Sequence, residues 1–195
     1  VTRAAAHNNL GHLFAALELH ERALEEFQRS TDYQAPSQAR TETWVNIAVS
    51  LARTGRASEA DAALAQAATL EADNAIAQLQ VQIARGKVRL ASGDATSALA
   101  AFDGALEAAE RLLRPRNAME AVCGATSALL LSERHADVVA RASDCISRAD
   151  RLAAPLHSLG AAVAQALALH AVGDEVSAAR VGVKAFNDWQ DHGER

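Results

Sequence analysis

Residues 44–64, WVNIAVSLARTGRASEADAAL, contain the pattern that decides the fold. Large and small apolar residues recur there at helical spacing on both sides of a glycine: Trp44, Ile47, Ala48, Leu51, Ala60 and Leu64. Spacings of three and four residues place side chains on one face of an α-helix. Gly55 sits where the first helix must stop, since glycine readily takes the backbone conformation found just past a helix C-terminus. The stretch therefore predicts two antiparallel helices joined by a short turn.

The same pattern returns every 37 to 41 residues along the chain. The residue that follows each turn marks the register: Ala23, Ala60, Ala98, Val139 and Ala178. Gly93 and Gly173 occupy the turn position in later units, and Asp94 and Asp174 follow them, well placed to cap the next helix. A fixed period of this size indicates stacked helical hairpins rather than one globular core. It favours a surface that binds another molecule and argues against a catalytic pocket.

The composition supports an all-α fold. Of the 195 residues, 50% are hydrophobic but only 4% are aromatic, so the apolar mass is mainly Ala, Leu and Val. Closely packed helices need few large side chains, whereas a β-sandwich or barrel uses more β-branched and aromatic residues. The net charge is −5, the pI is about 5.8 and no basic cluster occurs, which argues against a nucleic-acid surface.

Several classes of segment and motif are missing from the sequence. No apolar run approaches the ~20 residues that cross a bilayer, and no signal peptide is visible, so we expect a cytoplasmic protein without membrane contact. The chain starts without Met and reads as helix almost at once, so we expect a fragment of a longer protein. No metal-ligand spacing, phosphate-binding glycine loop or nucleophile motif occurs. We therefore expect no catalytic residue, no metal and no cofactor.

Cys123 and Cys145 lie at equal distances from Arg134, which falls in a predicted turn. The two cysteines therefore can face each other across one helical hairpin. Two cysteines do not make a disulfide framework. We favour the interpretation that both are small, buried, reduced residues in a reducing compartment.

The repeats resemble the tetratricopeptide repeat family, whose pattern is W-x2-L-G-x2-Y, then A-x3-F, then P. The first unit matches this pattern at His7, Leu10, Gly11, Phe14, Ala23, Phe27 and Pro36. The second unit matches it at the six residues quoted above. The third unit departs from it, because Arg85 and Arg89 fall on positions that the family fills with apolar residues. The fourth and fifth units rest mainly on spacing. The period of this chain exceeds 34 residues, and in this it is similar to the repeat arrays of large bacterial signalling and transcription regulators.

The resemblance implies an all-α, right-handed α-α superhelix, a solenoid of about five helical hairpins. The expected repeats span residues 4–36, 37–73, 74–114, 115–153 and 154–192, within a single domain over residues 1–195. The first helix of each repeat would line a concave groove that holds a peptide or a partner helix.

The resemblance also implies which residues line that groove in the first two repeats. They are Asn8, Asn9, His12, Glu42, Asn46, Val49 and Arg53. Asn9 aligns with Asn46, and carboxamides both donate and accept, so these asparagines are candidates to hold the backbone of an extended ligand. The alternative is that they bond to a neighbouring helix. The family's clamp for a chaperone's C-terminal carboxylate is excluded, because only Asn46 of its basic and asparagine residues is present.

The third repeat carries a polar stripe along its first helix: Gln78, Gln82, Arg85 and Arg89. If this stripe faces the groove, its two arginines favour an acidic ligand segment or a carboxylate. If it faces solvent, it is the wet side of the helix. Both interpretations remain open at this point.

The groove positions of the last two repeats are small or apolar: Ala121, Gly124, Ala125, Ala128, Gly160, Val163, Ala164 and Leu167. Such a face admits another helix from a partner, from a second copy in a homodimer, or from a continuation of the chain. The alternative, which we favour, is that tightly wound repeats bury these residues among themselves. Phe186 and Trp189 share one face of the last helix.

Together these features predict a protein- or peptide-binding module that acts as a scaffold or sensory domain of a bacterial multidomain regulator. We expect it to have no enzymatic activity and no direct contact with nucleic acid. Two alternatives belong to other classes: a structural domain that self-assembles through its C-terminal repeats, and a receptor for a small molecule or short peptide.

Overall fold

A computed structural model describes residues 2–33, 37–70 and 72–193. Within these ranges the chain forms ten α-helices and no β-strand, which confirms the all-α prediction. The helices are α1 (Arg3–Ala16), α2 (His20–Asp32), α3 (Ser37–Arg53), α4 (Ala57–Leu70), α5 (Ala75–Ala91), α6 (Ala95–Arg111), α7 (Pro115–Leu131), α8 (His135–Arg151), α9 (Pro155–Ala171) and α10 (Glu175–Gly193). Pro36, matched above to the family's proline, lies outside the described residues.

The helices pack as consecutive hairpins in two compact units, Val1–Asp94 and Ala95–Arg195. In the first unit α1 packs on α2 and α3 packs on α4, while α3 also contacts α1, α2 and α5. In the second unit each helix from α6 to α9 packs on its successor, and α7 also contacts α9. The first helices of the hairpins therefore lie side by side, as α1, α3 and α5 in the first unit and as α7 and α9 in the second.

Three-residue turns of one kind join the helices wherever the turn is described throughout. The third residue of each turn donates its N–H to a carbonyl five residues earlier, as Arg56 does to Leu51 O at 2.9 Å and Asp174 to Leu169 O at 2.9 Å. This bond is the mark of a Schellman cap, whose central residue needs a positive φ. The central residues are Glu18, Gly55, Gly93, Leu113, Glu133, Ala153 and Gly173, with φ from 50° to 85°. The glycine stops predicted from the sequence are confirmed.

One predicted helix cap is also present. The Asp174 side chain accepts a hydrogen bond from the backbone N–H of Ser177 through Oδ1, at 3.1 Å. That backbone bond is the main cause that lowers the pKa of Asp174. The cap satisfies one of the backbone donors that the first turn of a helix leaves without a partner.

Two helix crossings bring a glycine against a phenylalanine ring. A Cβ built on Gly11 of α1 would lie 2.5 Å from the ring of Phe27 on α2, and one built on Gly124 of α7 would lie 2.4 Å from the ring of Phe102 on α6. Both rings are 1% exposed. Burial of such a side chain stabilises the fold by about 2–3 kcal/mol. The missing Cβ therefore lets each helix backbone rest directly on a ring that the core needs.

Arginines of α8 connect this helix to α6 in the second unit. Arg141 donates to Asp103 Oδ1 at 2.9 Å, and Arg148 donates to Glu110 Oε1 at 2.8 Å. Arg148 also bonds Asp144 of its own helix, and this bond is the first cause that raises its pKa. Within the second unit, α6 and α8 are thus joined by charge pairs that the repeat pattern did not predict.

The prediction of two reduced cysteines is wrong. Cys123 of α7 and Cys145 of α8 form a disulfide, with their Cα atoms 5.1 Å apart. Their predicted placement across one hairpin is confirmed, and α7 and α8 are close enough there for a bond that needs Cα atoms within about 7 Å. The bond lies in an apolar cluster with Val122, Ala142 and Ala161. It also removes one ground for expecting a reducing compartment.

Three glycines of the second unit are expected to respond differently to replacement by alanine. Gly124→Ala should lower the free energy of unfolding by about 2 kcal/mol, because its Cβ meets the buried Phe102 ring. Gly173→Ala should lower it by about 1 kcal/mol, since alanine resists a positive φ. Gly160→Ala should raise it by up to about 1 kcal/mol, because this helical site is open and alanine favours helix. Urea denaturation followed by circular dichroism measures all three. Equal effects of Gly124→Ala and Gly160→Ala would contradict the crossing.

The disulfide should stabilise the chain by about 3 kcal/mol, because it closes a loop of 22 residues in the unfolded state. A reducing agent should therefore lower the free energy of unfolding of the chain by about that amount. A Cys145→Ala variant, which cannot form the bond, should be insensitive to the same agent. Two free thiols titrated in the folded, unreduced chain would show that the bond is absent.

Candidate functional site

Four polar side chains meet where α1 lies beside α3 in the first unit. Asn8 and His12 are one turn apart on α1, and Glu42 and Asn46 are one turn apart on α3. Asn46 and Glu42 of α3 contact His12, and Thr43 of α3 bonds Asn8. The four side chains along these two helices are here called the α1–α3 surface. His12 and Glu42 remain accessible, with side chains 46% and 51% exposed. The structure thus brings together four residues that the sequence assigned to the groove.

His12 is the centre of the α1–α3 surface because its Nε2 atom has two neighbours. Asn46 Nδ2 lies 3.0 Å away and Glu42 Oε1 lies 3.5 Å away. An amide nitrogen only donates, so the neutral ring accepts from Asn46, whereas a protonated ring donates to Glu42. The hydrogen bond from His12 is the main cause that lowers the pKa of Glu42, against a smaller opposing effect of burial.

The two asparagine carboxamides present opposite hydrogen-bonding groups. Thr43 Oγ1 donates to Asn8 Oδ1 at 3.2 Å, which leaves the Nδ2 of Asn8 to donate elsewhere. Asn46 uses its Nδ2 on His12, which leaves its Oδ1 to accept. Thr43 is buried, so the orientation of Asn8 is set from inside the protein. The α1–α3 surface therefore offers one donor and one acceptor on neighbouring helices.

The core positions this surface. The His12 ring packs edge-on against Phe27, with ring centroids 5.6 Å apart and an interplanar angle of 86°. Phe27 is the ring on which Gly11 rests, and Gly11 immediately precedes His12. The crossing of α1 and α2 thus fixes the direction from which His12 approaches α3.

Three further groove candidates of the first two repeats do not join the cluster. Asn9 is exposed on α1 and lies about 100° around the helix from Asn8. Val49 is half-buried and packs against the apolar core of the first unit. Arg53 is exposed in the last turn of α3.

The polar stripe of α5 makes its bonds to α4. Arg89 donates to Asp61 Oδ1 at 2.8 Å, and Gln78 Nε2 donates to the carbonyl oxygen of Ala68 at 3.1 Å. Gln82 is half-buried and Arg85 is exposed. Two members of the stripe are therefore engaged in the packing of α5 on α4.

The small groove positions of the last two repeats divide into two groups. Four are buried within the second unit: Ala121, Ala125, Ala128 and Ala164. Gly124 lies under the Phe102 ring. Three others on α9 are exposed: Gly160, Val163 and Leu167. Phe186 and Trp189 of α10 are exposed as well. Burial among the repeats thus describes part of this set, and the homodimer stays a prediction.

A cavity of about 450 Å³ in the second unit was not predicted from the sequence. It lies between α8, α9 and α10 and is here called the C-terminal pocket, with Ile146, Asp150, Leu159, Lys184 and Trp189 among its lining residues. Lys184 and Asp188, four residues apart on α10, form a charge pair whose spacing is visible in the sequence. That α8, α9 and α10 together line a cavity could not be read from that spacing.

Two features are absent from the part of the chain that the structure describes. No group of three or more His, Cys, Asp or Glu side chains is placed there to hold a metal ion. Separately, none of the helices in these ranges has the length and apolar character required to span a bilayer.

Comparisons with known proteins agree with an array of helical hairpins. The sequence model of the tetratricopeptide repeat matches residues 41–74. No curated protein matches the chain. Among solved structures, a Rap protein complexed with competence and sporulation factor superposes with a TM-score of 0.82 at 12% identity, over 98% of this chain and 57% of that one.

Two further solved structures have the same fold. Aspartyl phosphate phosphatase F from Bacillus subtilis gives a TM-score of 0.80 at 13% identity, over 98% of this chain and 51% of that one. A signal transduction ATPase with numerous domains and a tetratricopeptide repeat sensor, from Pyrococcus horikoshii, gives 0.77 at 12% identity, over 96% and 29%. This chain therefore spans little more than half, or less, of each of the three. It contains a tetratricopeptide repeat at residues 41–74 and has the fold of a tetratricopeptide repeat array.

Proposed function

We propose that this chain is a non-catalytic binding module whose first unit holds an extended peptide segment of a protein partner at the α1–α3 surface. Among the described residues, the Nδ2 donor of Asn8 and the Oδ1 acceptor of Asn46 have no hydrogen-bond partner, and this is the observation on which the proposal rests. An extended backbone carries C=O and N–H groups that must be paired when water is displaced. One donor and one acceptor on neighbouring helices match such a backbone.

Charge along α3 gives the bound segment a direction. Glu42 keeps its negative charge to lower pH than a free glutamate, because His12 lowers its pKa. Arg53 carries a positive charge eleven residues further along the same helix, about 16 Å away at ~1.5 Å per residue. A segment that lies along α3 would therefore place a basic residue near Glu42 and an acidic residue near Arg53.

The similar structures support a role in regulation. One is a Rap protein in complex with competence and sporulation factor, and another carries a tetratricopeptide repeat sensor within a signal transduction ATPase. Both are longer than this chain. By analogy, we infer a scaffold or sensory module of a bacterial multidomain regulator. Self-assembly through the C-terminal repeats remains the alternative, with the exposed Val163 and Leu167 of α9 as its candidate contact.

Selection from a random peptide library against the full chain tests the proposal. Selected peptides should combine a basic and an acidic residue several positions apart. Asn8→Ala and Asn46→Ala should each weaken their binding about tenfold, because each removes one hydrogen bond to the peptide backbone and leaves a buried group without a partner. Isothermal titration calorimetry measures the change.

Asn187→Ala provides the matched control, since Asn187 is an exposed asparagine on α10 in the second unit. This variant should bind the selected peptides with unchanged affinity. The placement of the site is wrong if selected peptides bind tightly and neither Asn8→Ala nor Asn46→Ala weakens them.

A further inference from the structure

The C-terminal pocket has the size of a small-molecule site. Its volume of about 450 Å³ falls within the ~300–1,000 Å³ typical of ligand pockets. All of its lining residues belong to α8, the turn after it, α9 and α10, so it shares no residue with the α1–α3 surface. A ligand bound here would be a second ligand of the chain, separate from the peptide proposed above.

The charge pairs between helices around the pocket differ from those of the preceding repeat. Arg148 of α8 reaches Glu110 of α6 and joins those two helices. The repeat spacing of 39 residues places Asn187 at the corresponding position of α10. Asn187 is too short and carries no charge to make the same bridge. Among the described residues, no ion pair joins α8 to α10. Arg180, the counterpart of Arg141 in the same spacing, bonds Ser177 of its own helix. Among the described residues, neither arginine bridge between α6 and α8 therefore has a counterpart between α8 and α10.

Apolar side chains form most of the walls of the pocket. Ile146 comes from α8, Leu159 and Ala162 come from α9, and Val181 and Trp189 come from α10. Trp189 is 46% exposed, so one part of its indole ring is available to a bound molecule. These walls suit a ligand with a compact aromatic or branched aliphatic body.

The charged lining of the pocket consists of two carboxylates and one ammonium group. Lys184 Nζ donates to Asp188 Oδ2 at 2.5 Å, and its pKa is raised first by this hydrogen bond and also by Asp150. Asp150 accepts a hydrogen bond from Ser158 Oγ through Oδ1, at 2.7 Å. Lys184 is already paired to Asp188, so among the described residues the carboxylate of Asp150 has no direct ion pair. The lining has a net charge of about −1.

We propose that the C-terminal pocket binds a small organic cation, with its ammonium group on Asp150 and its apolar body between Leu159 and Trp189. The second oxygen of Asp150 accepts a charged hydrogen bond, which is stronger than a neutral one. The indole face of Trp189 adds a cation–π attraction for the same charge. An anion of similar shape meets Asp150 instead and is repelled, because Lys184 is already neutralised.

Three probes with the same phenyl body test the sign of the charge: phenethylamine, 2-phenylethanol and 3-phenylpropionate. The indole N–H signals of the two tryptophans report binding to the full chain, with Trp44 of the first unit as an internal reference. Phenethylamine should shift the Trp189 signal saturably and leave the Trp44 signal in place. It should bind at least about tenfold more tightly than the alcohol, and the carboxylate should bind more weakly still.

Two variants locate the cation. Asp150→Asn keeps an acceptor for Ser158 but removes the negative charge. This variant should therefore bind phenethylamine about tenfold more weakly, with an affinity close to that for 2-phenylethanol. Asp191→Asn is the control. Asp191 is exposed near the C-terminal end of α10 and lies outside the pocket lining, so this variant should leave the affinity for phenethylamine unchanged. The proposal is overturned if phenethylamine does not saturate the Trp189 shift, if all three probes bind alike, or if Asp150→Asn binds as the unmodified chain does.

Discussion

The close contact between a glycine backbone and a phenylalanine ring sets the spacing of helices on which the other features depend. Gly11 rests on Phe27 within the first hairpin, and Gly124 rests on Phe102 between consecutive hairpins. The same type of contact therefore holds α1 on α2 in the first unit and α7 on α6 in the second. Any side chain in place of the glycine must push the helices apart or displace a buried ring, since protein interiors have little free volume. The Gly11 crossing also holds the ring that His12 touches, so the position of the α1–α3 surface follows from it.

The repeat pattern predicted the fold well because each hairpin repeats the same local physics. Gly55, Gly93 and Gly173 were recognisable helix ends, and the buried alanines at the aligned positions were recognisable crossings. The helix ends at Leu113 and Ala153 could not be recognised in the same way, because neither leucine nor alanine indicates a positive φ. Their strain is tolerated since a Schellman cap needs that conformation at any residue between two closely packed helices.

The site was predicted less completely because it depends on contacts between repeats. Asn8, His12, Glu42 and Asn46 were assigned from the family pattern, but the role of Thr43 required the distance between α1 and α3. Arg89 could be placed against Asp61 only after α5 was seen beside α4. The placement of the two cysteines across one hairpin was predicted correctly, but their oxidation to a disulfide was not. Sequence spacing indicates how near two thiols come and leaves open whether they are oxidised. The pocket could not be predicted, because it depends on how α8, α9 and α10 pack and on no motif within one helix.

The central claim is that the first helices of the first unit, α1 and α3, form the surface that binds a peptide. Hydrogen–deuterium exchange of the full chain, with and without a selected peptide, tests this claim most directly, because exchange slows where backbone segments are covered or rigidified. The account predicts slower exchange in peptide fragments that contain residues 8–12 and 42–53, and little change in α2 and α4. Protection confined to α2 and α4, or to the second unit, would contradict it.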